Sequence, residues 1–449
     1  MKFNIYQFTT TNRIYYLVAG IMVIIVFMTV IWILVGVGGG GGSTSSQELQ
    51  FWGVFDDTQS FYSAANAFQR ENPGTKITYV QLPFEEYEKR LVDAMAAGTG
   101  PDIFMIHHSW LPKHVDKVIP MPQTEIPETG RPLMTVTEFN SQFVEVAAED
   151  LIFSNKIYGM PLYVDSLALY YNRDLFNSAG ISVPPKTWEE FNDAVEKLTK
   201  LDSKGNISKP GAAMGTAKNI NRSTDILMAL MIQSGVPMTD SDNSTAILSA
   251  SLKGADVGAV ALQYYTDFAN PKKRTYTWNN SQNYSIDSFV QGDLGMMLNY
   301  SHQASIIRAK NPRLNFAISQ MPQISTSDIK NYGNYWSLAV SNKSKDPLAS
   351  WKFLVKATSK EESLKYLSET GRPTARRDLV DMQKDDKDLG VFAIQSLSAK
   401  SWFQADNVAI EKIFSETIED VNFNRASLND ALRSAESKIN ILMRNKKIK

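Results

Sequence analysis

There is no cysteine among the 449 residues of this chain. Disulfides, thiolate metal sites, cysteine nucleophiles and lipid attachment at a cysteine are therefore excluded. A charge excess is also missing. Lys and Arg number 46 against 47 Asp and Glu, for a formal net charge of -1, so there is no electrostatic footprint for nucleic acid. Only four histidines occur, and without thiolates beside them no resident metal is expected. P-loop, nucleophile-elbow and His-Glu-x-x-His motifs are absent from the sequence. The acid pairs Glu85-Glu86 and Asp385-Asp386 are sequence neighbours, whereas a glycosidase needs carboxyls facing each other about 5–10 Å apart. The reading is of a protein with no catalytic residues and no cofactor.

What is present is the composition of a folded chain, 43% hydrophobic and 21% charged. Its length predicts two or more globular units. From Ile14 to Val37, IYYLVAGIMVIIVFMTVIWILVGV carries no charge. This is enough for a tilted helix across a hydrocarbon core of about 30 Å, and longer than the roughly 7–15 apolar residues of a cleaved signal peptide. A retained anchor is expected over 14–37. Lys2 and Arg13 precede it and no Lys or Arg follows until Arg70, which puts residues 1–13 in the cytoplasm and everything after Gly38 outside. Residues 38–47 open with GGGGGSTSS, a flexible tether spanning on the order of 15–20 Å.

From Glu48 the pattern alternates between strand and helix. LQFWGVF, KITYVQL and PDIFMI read as strands. Between them, QSFYSAANAFQREN places Phe61, Ala64, Ala65 and Phe68 on one helical face, and FEEYEKRLVDAMAAG aligns Tyr87, Leu91 and Met95 before a Gly98 stop. Such alternation predicts a parallel sheet, with a ligand beyond the carboxyl ends of its strands. That rule selects Trp52 to Asp57, His107 to Trp110, and the surroundings of Tyr163. Farther on, Thr187 and Glu190 form a Thr-x-x-Glu capping box, with Trp188 packing beside it.

The ordered series AGTGPDIFMI, YGMPLYVDSLALYYNRDLFNSAGISVPPKTWEEF, FVQGDLGMMLNY, GNYWSLAVSNKSKDPLASWKFL and TGRPTARRDL resembles the extracellular solute-binding proteins of ABC importers. The closest group is the maltose-binding-like, sugar-binding family 1. The resemblance covers essentially everything from Glu48 onward and implies an α/β, two-lobed periplasmic-binding-protein-like fold (type II), here preceded by one transmembrane helix. It implies a first lobe over 48–164 and 337–370, and a second over 165–336 and 371–449. It further implies capture of a sugar or oligosaccharide by lobe closure and delivery to the transmembrane subunits of an ABC permease. The same fold binding a polyol phosphate or polyamine is the alternative, and a surface glycoside hydrolase a more distant one. Many relatives carry a lipobox cysteine that this chain lacks; the anchor helix takes that role, with the lipid bilayer as partner.

Candidate ligand contacts follow. Trp52 offers a stacking platform with Asp56 and Asp57 as hydroxyl acceptors, although a core tryptophan and a helix-capping pair fit equally well. His108 and Trp110 end the third strand, and adjacent strand residues point to opposite faces, so His107 and His108 do not converge on one ion. Tyr163 and Asp165 are implied at the mouth of a cleft. Asn299, Tyr300 and His302 follow a second-lobe strand, Trp336 stands at the second crossing and Arg372 near the third. Asp102 is read as bracing its own loop.

Overall fold

The computed structural model describes residues 47–252 and 254–444; the anchor expected over 14–37 lies outside them, as does nearly all of the tether. Among the described residues no helix is long and apolar enough to cross a membrane. The described residues from Glu48 onward form one compact unit.

Alternation buries Leu49 and Phe51 in the strand Gln47–Gly53. Asp57 then caps the helix Thr58–Glu71, whose buried face is Phe61, Ala64, Ala67 and Phe68. The helix Phe84–Ala96 buries Tyr87, Leu91 and Met95, the expected stripe. Gly98 just beyond it has φ +74°, the left-handed stop that glycine adopts without steric cost. These elements build a five-stranded sheet in the order Thr75–Gln81, Gln47–Gly53, Ile103–His107, Trp336–Val340, Met160–Pro161. Gln47–Gly53 runs parallel to Ile103–His107, but Trp336–Val340 is antiparallel to both of its neighbours. The sheet is mixed rather than parallel, because that strand re-enters from the second lobe instead of through a helical crossover.

The second lobe centres on Ala168–Asn172, flanked antiparallel by Met296–Asn299 and Phe316–Ser319. A small sheet of Ala399–Lys400, Asn331–Asn334 and Asp165–Ser166 lies where the chain passes between lobes. Thr187 and Glu190 form the expected capping box, and Trp188 packs in the core with its indole N–H on Gln233.

Two hydrophobic cores result. One gathers residues from Leu49 to Val164, then Tyr335 to Leu379, with Ala399. The other gathers Leu167 to Tyr332 and Phe392 to Met443. The expected boundaries at 336/337 and 370/371 therefore shift. Trp336 pairs in register with His107 of the first sheet. The 371–379 stretch is held to the first lobe by the Tyr163–Thr374 bridge and by the Val144 amide on the Ala375 carbonyl.

Asp102 is a buried brace, but it ties distant segments together rather than its own loop as expected. Its carboxylate accepts from the amides of Gln50 (2.9 Å) and Lys345 (2.7 Å) and from the Ser344 hydroxyl (2.9 Å). It thus joins the first strand to the loop after Trp336–Val340. Asp102→Ala strands those donors, and each buried unsatisfied group costs about 1–3 kcal/mol. We expect urea unfolding to show a loss of about 2–4 kcal/mol, with ligand affinity retained in the folded fraction.

Candidate functional site

The strand tips of the first lobe face the second lobe across a cavity of about 560 Å³, inside the 300–1,000 Å³ or so typical of ligand sites. Its first-lobe wall is aromatic. Trp336, buried in the core, meets Trp110 edge-on with ring centroids 5.0 Å apart. Phe55 and Phe84 stack on each other at 5.2 Å and both pack against Trp336. Phe55 reaches this position because the chain turns sharply after Gly53, placing Phe55 at φ 62°, a conformation rare for bulky side chains.

Arg372 closes one end. Its guanidinium donates to Asp56 at 2.6 Å and lies 4.4 Å from the centre of the Tyr163 ring. Tyr366 adds a hydroxyl to the same Asp56 carboxylate at 2.8 Å. On the second-lobe side stand Tyr300, His302 and Arg222, together with the first turns of the helix Asn407–Asn422. That helix buries Ile410, Ile413 and Phe414, which leaves Asn407, Val408 and Glu411 for the cavity. Tyr300 donates to Asp225 at 2.7 Å, and the Arg222 guanidinium lies over its ring at 5.4 Å.

Burial governs the electrostatics. It pushes the Asp165 carboxyl up to about 6 against hydrogen bonds from Ser301 and Ser166. His302 is lowered to about 4, by burial first and then by Arg222 and Arg372. His107 is driven well down by burial. Both imidazoles are neutral at physiological pH, each with one donor and one acceptor nitrogen. Burial, reinforced by the negative Asp225, raises Glu411. Among the described residues nine buried side-chain polar atoms have no hydrogen-bond partner in the protein. Four of them belong to this one cavity: Trp110 Nε1, Arg222 Nε, Arg372 Nε and Asn407 Oδ1. Buried polar groups are normally paired, so their concentration here marks a surface made for polar contact.

Seven of the residues expected from sequence belong here by geometry. Trp110, Tyr163, Asp165, Tyr300, His302, Trp336 and Arg372 all line the cavity. Asp56 stands behind it and holds Arg372. Four do not reach it. Trp52 sits within the strand, packed against the first core, its carbonyl accepting from Tyr87 at 3.2 Å. Asp57 is a helix cap, accepting from the Ser60 amide at 3.1 Å. His108 points the other way, stacked on Tyr335 and bonded to Asp150 at 3.0 Å; strand parity sends His107 into the cavity instead. Asn299 is fully buried and donates to Asn221 at 3.0 Å, again one position out of phase with Tyr300. Sequence reading did not name Phe55, Phe84, His107, Arg222, Asn334, Asn407, Val408 or Glu411 as contacts. Of these, His107 was within reach of the alternation argument. No group of acidic or histidine side chains able to hold a metal occurs among the described residues.

Residues 52–363 match the model of the family described as bacterial extracellular solute-binding protein. The chain belongs to this family. A binding protein of Brucella abortus (strain 2308) is 26% identical over 314 residues, 69% of this chain and 71% of that one. The maltodextrin-binding protein of Bacillus subtilis (strain 168) is 26% identical over 344 residues, covering 72% and 73% of the two chains. The crystal structure of the cyclic α-maltosyl-1,6-maltose binding protein from Arthrobacter globiformis superimposes with a TM-score of 0.72 at 21% identity. It covers 89% of this chain and 99% of that one, and it establishes the two-lobed α/β fold.

The raised Asp165 carboxyl has a measurable consequence. Between its ordinary 3.8 and about 6, the folded chain keeps a proton that the unfolded chain has released. The group's contribution to stability therefore falls as pH rises through that window. Comparing wild type with Asp165→Asn by urea unfolding at several pH values, we expect the stability difference to move against wild type as pH rises. A difference that stays flat across the window would show that burial does not set this carboxyl.

Proposed function

We propose that this protein is the membrane-tethered, extracytoplasmic substrate-binding component of an ABC importer. It captures a neutral sugar or oligosaccharide between its lobes and hands it to the permease subunits. The observation that carries this reading is the pairing of an aromatic wall with four unpartnered polar atoms in one cavity. Sugar C–H faces lie against aromatic rings, while their hydroxyls need directional donors and acceptors. Neutrality follows from the charges. Arg372 is held by Asp56 and Arg222 stands 4.0 Å from the buried Asp225, so neither arginine is left uncompensated for an anion. A phosphate would call for uncompensated cations, and a polyamine for uncompensated acids. The maltodextrin- and maltosyl-maltose-binding relatives support the same class of ligand.

Capture proceeds by population shift. A ligand touching Trp336 and Trp110 on one lobe and Arg222 and Asn407 on the other binds both only when the lobes are together, so it favours that state by its differential affinity. Lys113 in the first lobe already reaches Asp406, at the start of the second-lobe helix, at 3.0 Å. The uncharged run at 14–37 and its Gly/Ser tether would keep the binding unit beside the bilayer and its permease.

Calorimetry and tryptophan fluorescence on the full chain in detergent test this with neutral mono- and oligosaccharides, glycerol phosphate and spermidine. We expect binding by sugars only, with an emission change from Trp110 and Trp336. Phe84 is half exposed at the rim, and Phe84→Ala should weaken sugar binding about five- to tenfold with an unchanged melting temperature. Preferential binding of the phosphate or the polyamine would overturn the assignment.

A further inference from the structure

Among the described residues, the large aromatic side chains left exposed are Phe55, Tyr62, Phe84, Tyr284 and Phe423. Phe55 and Phe84 form the outer rim of the cavity. Tyr284 stands elsewhere, in a second hollow of about 400 Å³ on the second lobe. The two hollows are neighbours, since Arg222, Val408 and Glu411 line both.

One helix face explains the continuity. On Asn407–Asn422, positions 408, 411, 412 and 415 fall at i, i+3, i+4 and i+7, a single stripe. Val408 and Glu411 serve both hollows, while Lys412 and Ser415 line only the second. Opposite them Tyr284 presents its ring, and its hydroxyl accepts from Asn221 at 2.8 Å, so its own proton is free to donate. Two of the seven non-glycine residues with positive φ among those described lie on the same track. Phe55 at one end and Arg222 between the hollows hold φ 62° and 63°, and strained non-glycine backbone persists at ligand clamps because its surroundings over-determine it.

From this juxtaposition, and resting on the sugar reading above, we infer that the ligand is an oligosaccharide longer than the main cavity. Its inner rings lie between Trp336 and Tyr300. Its outer rings pass Arg222 and Glu411 and settle on Tyr284, Lys412 and Ser415. A monosaccharide would leave the second hollow and its exposed ring without a role.

Calorimetry on the full chain with malto-, galacto- and arabino-oligosaccharides of one to four units separates the possibilities. In the series that binds, affinity should rise with each added ring. Tyr284→Ala and Lys412→Ala should lower the affinity for the tetramer about tenfold and leave that for the shortest binding member unchanged. Both side chains are solvent-facing, and matched melting temperatures confirm that the variants fold. Affinity that is flat with length overturns the inference while leaving the sugar reading intact. So does a Tyr284→Ala effect that is equal for short and long ligands, or absent for all of them. Binding by no sugar of any length overturns both.

Discussion

The candidate site depends on one buried ion pair. Asp56, on the loop after the first strand, accepts from Arg372 at 2.6 Å and from Tyr366 at 2.8 Å, while Arg372 lies over Tyr163. Three stretches of chain, distant in sequence, are tied at one corner. Breaking such a pair by removing one partner typically costs about 3–5 kcal/mol, because the other charge stays buried and uncompensated. The pair also orients a guanidinium whose Nε remains unpartnered beside the cavity. Structural restraint and recognition are thus joined in a single side chain.

The cavity is polar without being strongly charged. Two arginines face two carboxyls along the lining, both raised by burial, and the imidazoles are neutral. Groups of this kind donate and accept hydrogen bonds without demanding a counter-charge from the guest. Against them stand Trp110, Trp336 and the Phe55–Phe84 stack. The wall therefore offers apolar faces and directional polar atoms side by side, as a sugar ring does.

Much of the fold was legible because it rests on local pattern. The buried stripe Tyr87–Leu91–Met95 and the Thr187–Glu190 capping box follow from periodicity and capping chemistry. The rule that ligands gather at strand tips found Trp110 and Tyr163, and the family resemblance found Trp336. Errors came where a single residue of phase decides. His107 and His108 differ only in which face of the strand they occupy, and likewise Asn299 and Tyr300. Asp57 was ambiguous because a helix cap and a hydroxyl acceptor need the same carboxylate. Arg222, Asn407 and Glu411 gave no local signal at all. They stand at the starts of two second-lobe helices, and only the tertiary fold turns those starts toward the first lobe. The antiparallel entry of Trp336–Val340 into the first sheet left no local signal for a similar reason, since its direction is set by a return across the lobes.

That strand also constrains how the molecule is made. Trp336–Val340 lies inside the first sheet, between Ile103–His107 and Met160–Pro161, yet it is synthesised after most of the second lobe. The amino-terminal half cannot finish its sheet while the ribosome is still making the middle of the chain. Its pairings are among the most non-local in the fold, and such contacts slow folding because loop-closure entropy is spent before they form. Maturation should therefore be late and concerted, with both lobes completing together once the chain beyond Leu379 is available.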